Sequence, residues 1–307
     1  MAAGNFAESL RRVGISEGGF SNDPDDPGGV TLNGITQRVY DADRRRRGLA
    51  LKSLTPEMNG NRGWIAERDQ IYRFQFWDTV RGDELPAGVD YVVFDGGVNS
   101  GPVQSVKWLQ RALASDGLYH GAIDGHIGRG TLDALEHCPD YDRLVALICQ
   151  YRLAFMRTLK TWWKYGDGWK KRVARVLEVG QAWASGSVGP EPAPTRNGYQ
   201  KARIADARKP PSAAVGDLAT GTGMASGTGA GAIQAASSAS GVKDTLQQAQ
   251  DALTPLSSSN SIVSNIVLVL VIIGAVLTIG GLAWRFYANY RRAKMVEALD
   301  LGVAVPI

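Results

Sequence analysis

Cysteine is nearly absent from this 307-residue chain, with only Cys138 and Cys149 present. Two thiols cannot build a disulfide framework, so a small stapled scaffold is excluded. A single bridge between them stays open, although Cys149, inside the apolar run LVALICQYRLAF, reads as a small buried core residue. Histidine is equally scarce, limited to His120, His126 and His137. No H-E-x-x-H pair or Cys/His cluster occurs, so no metal site and no cofactor are expected. The glycine-rich stretch IDGHIGRGTL lacks the Lys-Ser/Thr that a phosphate-binding loop would need after Gly130. No nucleic-acid-binding motif is present. The first twenty residues, MAAGNFAESLRRVGISEGGF, hold no apolar run of the kind a secretory leader carries, so none is expected. The net charge of +4 suits an anionic partner without choosing among them.

What the chain does contain is arranged in zones. Residues 1–185 hold seven of the eight tryptophans and dense apolar patterning, enough for a sizeable core. Residues 186–261 are rich in Gly, Ala, Ser, Thr and Pro, with Tyr199 as the one aromatic. Such a segment buries too little apolar surface to offset its ordering entropy, so a flexible tether is expected, spanning roughly 50 Å. Residues 266–284 read IVLVLVIIGAVLTIGGLAW, an uncharged run about 28 Å long as a helix. A single membrane-spanning helix over 262–287 follows from that length, with the bilayer as partner. Trp284, Tyr287 and Tyr290 would sit at its interface, and a basic tail would occupy 288–307. The expected location is a bacterial inner membrane, crossed once, with the N-terminal part on the outer side by a route the sequence does not reveal.

The chemistry gathers in EGGFSNDPDDPGGVTLNGIT, residues 17–36. Phe6, Leu10 and Val13 recur at helical spacing before it, with Asn5 as a possible N-cap and Glu8 three residues on. Glu17 therefore falls at or just past a helix C-terminus, where unpaired carbonyls disfavour a carboxylate. Its proton should be held longer than that of a free glutamate, as a general acid requires. Asp23, Asp25 and Asp26 follow within nine residues, held in turns by Pro24, Pro27, Gly28 and Gly29. Each could simply make an Asx turn; Asp26 is the favoured partner for Glu17. One protonated and one ionised carboxyl is the pairing that glycosidic cleavage uses.

These residues carry a resemblance. The stretch resembles the signature of glycoside hydrolase family 108, N-acetylmuramidases with an E-G-G-[YF] motif. FQFWDTVRGDELPAGVDYVVFDGGVNSGP, residues 74–102, is similar to that family's second block. VKWLQRALASDGLYHGAIDGHIGRGTLDAL, residues 106–135, resembles the peptidoglycan-binding module often joined to it, and YRLAFMRTLKTW with GDGWKKRVARV closes the match. The resemblance implies that Glu17 is the catalytic acid. The Glu17-x8-Asp26 spacing also resembles the E-x8-D-x5-T arrangement of phage-type lysozymes, with Thr31 one residue short of its place. Asp26 would then be the base, activating water in an inverting reaction.

Other groups are candidates for supporting roles. Tyr91, Asp95 and Asn99 recur every four residues and share one helix face. They read either as a polar wall of the sugar cleft or as a buried network, with Asp95 as the alternative base. Trp162, Trp163 and Trp169 could stack on sugars or pack the core. The run Arg44–Arg47 reads as a solvated loop or as a holder of anionic polymer or lipid. The resulting expectation is a mainly α-helical protein. A lysozyme-like catalytic domain at 1–91 and a helical peptidoglycan-binding module at 92–185 precede the disordered tether and membrane helix. It would hydrolyse the β-1,4 bond between N-acetylmuramic acid and N-acetylglucosamine, in cell-wall lysis of phage or prophage type. A lytic transglycosylase and an inactive wall-binding protein are the alternatives.

Overall fold

The computed structural model describes residues 4–16, 19–22, 29–191, 200–209, 212 and 261–299. Glu17, Asp23, Asp25, Asp26 and most of the expected tether lie outside them. The chain divides into two units, residues 1–208 and 209–307.

The first unit is mainly helical, as expected. Helix α1 (Phe6–Ser16) leads to three two-residue strands, β1 (Phe20–Ser21), β2 (Thr31–Leu32) and β3 (Ile35–Thr36), in an antiparallel sheet of that order. Helices α2 (Gln37–Arg46), α3 (Arg62–Tyr72), α4 (Val89–Ser100), α5 (Pro102–Ser115), α6 (Arg129–Glu136), α7 (Tyr141–Arg157) and α8 (Trp162–Ala184) follow. Their starts are set by local chemistry. Thr36 accepts from Val39 N to open α2, Asn61 accepts from the Gly63 and Trp64 amides to open α3, and Asp140 accepts from Arg143 N to open α7. Pro102 stands in the first turn of α5, where its missing N–H costs nothing. The capping box read at the start of α1 does not form. Glu8 instead pairs with Arg11 and Arg12, and the Asn5 amide reaches across to Asp90 at 2.9 Å.

Helix α4 is the centre of the unit. Eleven of its twelve residues are buried, and it packs on α1, α5, α7 and α8. Phe6 of α1 and Trp77 meet Phe94 edge-on at 6.0 and 5.3 Å. A helix buried on nearly every side must be largely apolar, and VDYVVFDGGVNS is, apart from Asp90, Tyr91, Asp95, Asn99 and the terminal Ser100. Its start lies hard against α8: a Cβ on Gly88, whose φ is +85°, would sit 2.2 Å from the Gly180 carbonyl oxygen. The boundary expected between 91 and 92 falls inside this helix. Cys138 and Cys149 are both buried free thiols, so no bridge joins them.

Residues 200–208, within the segment read as tether, run back along this unit. The Asn99 amide and the Trp169 indole N–H both donate to the Gln200 carbonyl at 2.8 and 2.7 Å. Leu159 and Ala207 form an antiparallel bridge, and Ala202 is buried.

In the second unit, α9 spans Ser261–Leu299. The membrane-spanning helix expected over 262–287 requires correction, because among the described residues no helix is long and apolar enough to cross a membrane. The described side chains of α9 begin at Val276, and the earlier part of the apolar run lies outside them. Arg285 comes nine positions later, followed by Arg291, Arg292 and Lys294, whereas a crossing needs about 20 apolar residues in succession. With that correction the single-pass inner-membrane location and the bilayer contact through 262–287 also lose their basis.

Candidate active site

The two expected catalytic carboxylates, Glu17 and Asp26, lie outside the described residues, and the sheet is a frame that holds the residues flanking them in sequence. Ser21 pairs with Thr31 and Phe20 with Leu32, so the described residues on the two sides of 23–28 are held together. Glu17 stands between Ser16, the last residue of α1, and Gly19, whose carbonyl accepts from Asn33 N at 3.1 Å. Thr31 Oγ1 donates to the Gly29 carbonyl at 3.1 Å.

Asn33 is the pivot of this frame, and the sequence reading did not single it out. It occupies the left-handed region at φ +48°, followed by Gly34 at +78°. This is the Asn-Gly pair that two-residue hairpins favour, flanked by VTL and IT, and that signal was available. Its side-chain oxygen accepts from Trp64 Nε1 at 2.8 Å, and its carbonyl accepts from Tyr72 OH at 2.9 Å. Both aromatics are buried, so the hairpin is bolted to α3. Asn33→Ala would leave the Trp64 N–H without its acceptor and put alanine where φ is positive. We expect a loss of about 1–3 kcal/mol in urea unfolding, with Asn33→Gly showing whether the side-chain bond or the backbone dominates.

The polar residues of α4 from Asp90 to Asn99 all turn out to be buried. Asp95 is held by Arg172 at 2.9 Å and Arg152 at 2.7 Å, and all three are shut off from solvent. Burial alone would raise its pKa, but the two guanidinium groups outweigh this and hold the carboxyl below its ordinary value. A carboxylate so enclosed ties α4 to α7 and α8 and has no path to substrate water. Tyr91 is buried against the Trp183 ring at 5.2 Å, and burial raises its hydroxyl above the usual range. Asn99 spends its amide on Gln200. Of the two readings offered for these three residues, the geometry matches the buried network.

Asp90, which the sequence did not flag, is the perturbed acid of this helix. Burial pushes it up to about 6, against hydrogen bonds from Asn5 and the Tyr91 amide that favour the charge. The unfolded chain releases this proton near 3.8. Between the two values the folded state holds the extra proton, so stability falls as pH rises from about 4 to about 6 and then levels off. The cost at neutral pH is roughly 3 kcal/mol. Asp90→Asn should remove this slope. Urea midpoints at pH 4.5 and 7.5 check it: the variant should gain on the native chain at the higher pH, and equal differences at both would refute the assignment.

The tryptophans divide. Trp169 is buried, Trp162 packs on it at 6.2 Å, and Trp163 is 80% exposed. In the 106–135 segment, Gln110 organises the loop between α5 and α6. Its amide donates to Asp124 at 2.8 Å and its oxygen accepts from Gly125 N at 2.8 Å. Among the described residues no group of three His, Cys, Asp or Glu could hold a metal ion.

Comparison with known proteins gives the site its class. Residues 10–101, from within α1 to the Gly101 that separates α4 from α5, match the family model Glycosyl hydrolase 108. This part of the chain belongs to glycosyl hydrolase family 108. A solved structure titled "Structure of Brucella abortus SagA" is 34% identical, covering 60% of this chain and 97% of that one, with a TM-score of 0.49. No curated protein matches. Family 108 makes the chain a glycoside hydrolase of lysozyme-like type, for which peptidoglycan is the consistent substrate.

Proposed function

We propose that this family-108 enzyme hydrolyses the β-1,4 bond between N-acetylmuramic acid and N-acetylglucosamine, and serves in lysis or remodelling of the cell wall. Glu17 is the general acid that protonates the leaving oxygen. Asp26 is the base that draws a proton from water on the opposite face of the sugar, with Thr31 in a supporting role. Residues 92–185 supply the wall-binding module. The observation that carries this reading is the family match, which spans both carboxylates. Physical support comes from the described neighbours: Ser21 pairs with Thr31 across the segment that contains Asp26, and Gly19, two positions beyond Glu17, accepts from Asn33 N. Catalysis of this kind depends on fixed placement of its groups.

The test is mass spectrometry of peptidoglycan digested by the full chain. Reducing-end muramic acid products are expected. Anhydro-sugar ends would mean a transglycosylase and remove the role of Asp26 as base. Binding without any product would mean an inactive wall-binding protein.

A further inference from the structure

The corner where α7 gives way to α8, together with the returning segment 200–208, is strongly basic. RTLKTWWKYGDGWKK, residues 157–171, holds five bases and one acid, and KARIADAR, residues 201–208, three bases and one acid. The two stretches are locked side by side. Arg208 N donates to the Thr158 carbonyl at 2.9 Å and Lys160 N to the Asp206 carbonyl at 2.7 Å, on either side of the Leu159–Ala207 bridge. Leu159 points into the core, so by the alternation of extended chain its neighbour Lys160 points outward. Lys160 and Arg208 are both exposed, as are Arg157, Lys171 and Arg203.

Among the described residues none of these five forms an ion pair within 4 Å; Asp167 pairs with Lys170 at 2.7 Å and also feels the charge of Lys171. The most basic run of the sequence behaves differently. Arg44 pairs with Glu67, and Arg46 and Arg47 share Asp43, so two carboxylates offset about half of that charge. At the α7–α8 corner the charge faces solvent, beside Trp163, the most exposed large apolar side chain described.

We propose that this face binds the anionic strands of peptidoglycan. The exposed cations meet the free carboxylates of the peptide stems, and the Trp163 ring lies against a sugar face. Complementary charge over an extended polymer favours this occupant, because individually weak exposed pairs add up only where the partner repeats its charge. The inference rests on the peptidoglycan reading above for its choice of polymer.

The experiment uses the full chain carrying Glu17→Gln, so that the polymer stays intact, pelleted with insoluble peptidoglycan over a range of salt. Lys160→Glu/Lys171→Glu/Arg208→Glu should weaken binding by about tenfold or more at low salt and flatten the salt dependence, as screening over roughly 10 Å at 0.1 M implies. Trp163→Ala should weaken binding without altering the salt dependence. Amidating the stem carboxylates with carbodiimide should reproduce the charge-reversal loss for the parent protein. Unfolding midpoints should be unchanged, because the replaced side chains are exposed. Binding indifferent to charge reversal or to amidation would overturn the proposal, as would binding to phosphatidylglycerol vesicles in preference to peptidoglycan. Product analysis of the native chain separates the two claims: hydrolysis with charge-independent binding sinks only this face, and charge-dependent binding without hydrolysis sinks only the enzymatic reading.

Discussion

Asp95→Asn should lower the stability of this protein by about 3–5 kcal/mol, a large part of the total for an ordinary domain. Asp95 is the acid shared by Arg152 and Arg172, and all three side chains are buried. Asparagine keeps the shape and can still accept a hydrogen bond, but it leaves two guanidinium charges together in a low-dielectric core. Arg152 is already poorly satisfied: its Nη1 meets Asp95 Oδ1 at 2.7 Å, but its Nε and Nη2 have no hydrogen-bond partner among the described residues. The pH dependence gives an independent signature. The folded carboxyl is held below its ordinary 3.8, so its stabilisation is present above that value and disappears as pH falls through the lower, folded pKa. The native chain should therefore lose stability in acid where Asp95→Asn loses little more. Urea midpoints at pH 7 and pH 3 measure both effects. A variant as stable as the native chain at pH 7 would show that the triad sets helix register without stabilising the fold. The consequence reaches beyond α4, because Asp95 lies in the family-108 match while both arginines lie after it. One buried ion triad thus joins the matched region to α7 and α8.

The second large effect concerns turnover. Glu17→Gln should reduce peptidoglycan hydrolysis by about 100- to 10,000-fold, the range general acid catalysis supplies, with the unfolding midpoint unchanged. Glutamine matches glutamate in volume and polarity but has no proton to give at neutral pH. The alkaline limb of the pH profile, set by loss of the acid's proton, should vanish with it. Asp26→Asn should remove the acidic limb if aspartate is the base. Retained activity in Glu17→Gln would remove the glutamate from the mechanism, and retained activity in Asp26→Asn would leave the water to be activated by another group.

The contrast between the two carboxylates named for the base shows what sequence spacing can and cannot convey. Tyr91, Asp95 and Asn99 share a helix face, and the four-residue spacing said so correctly. Whether that face looks onto solvent or onto other helices is a property of packing. Arg152 and Arg172, which decide the matter for Asp95, lie 57 and 77 residues further along. Trp163 and Trp169 make the same point, being six residues apart on one helix yet one exposed and the other fully buried.

The sequence by itself determined the helical class, the absence of a disulfide scaffold and the family, because each is written in composition or in short contiguous stretches. Local chemistry suffices for such features: caps open helices and Asn-Gly turns a hairpin. Only the tertiary structure decided that α4 is buried on nearly every side, that Asp90 holds its proton up to about 6, and that residues 200–208 return to the helical unit. It also showed that two carboxylates, Glu67 and Asp43, offset about half of the Arg44–Arg47 charge. Burial and ion pairing depend on partners far away in the chain, and no local pattern records which partner a folded side chain will meet.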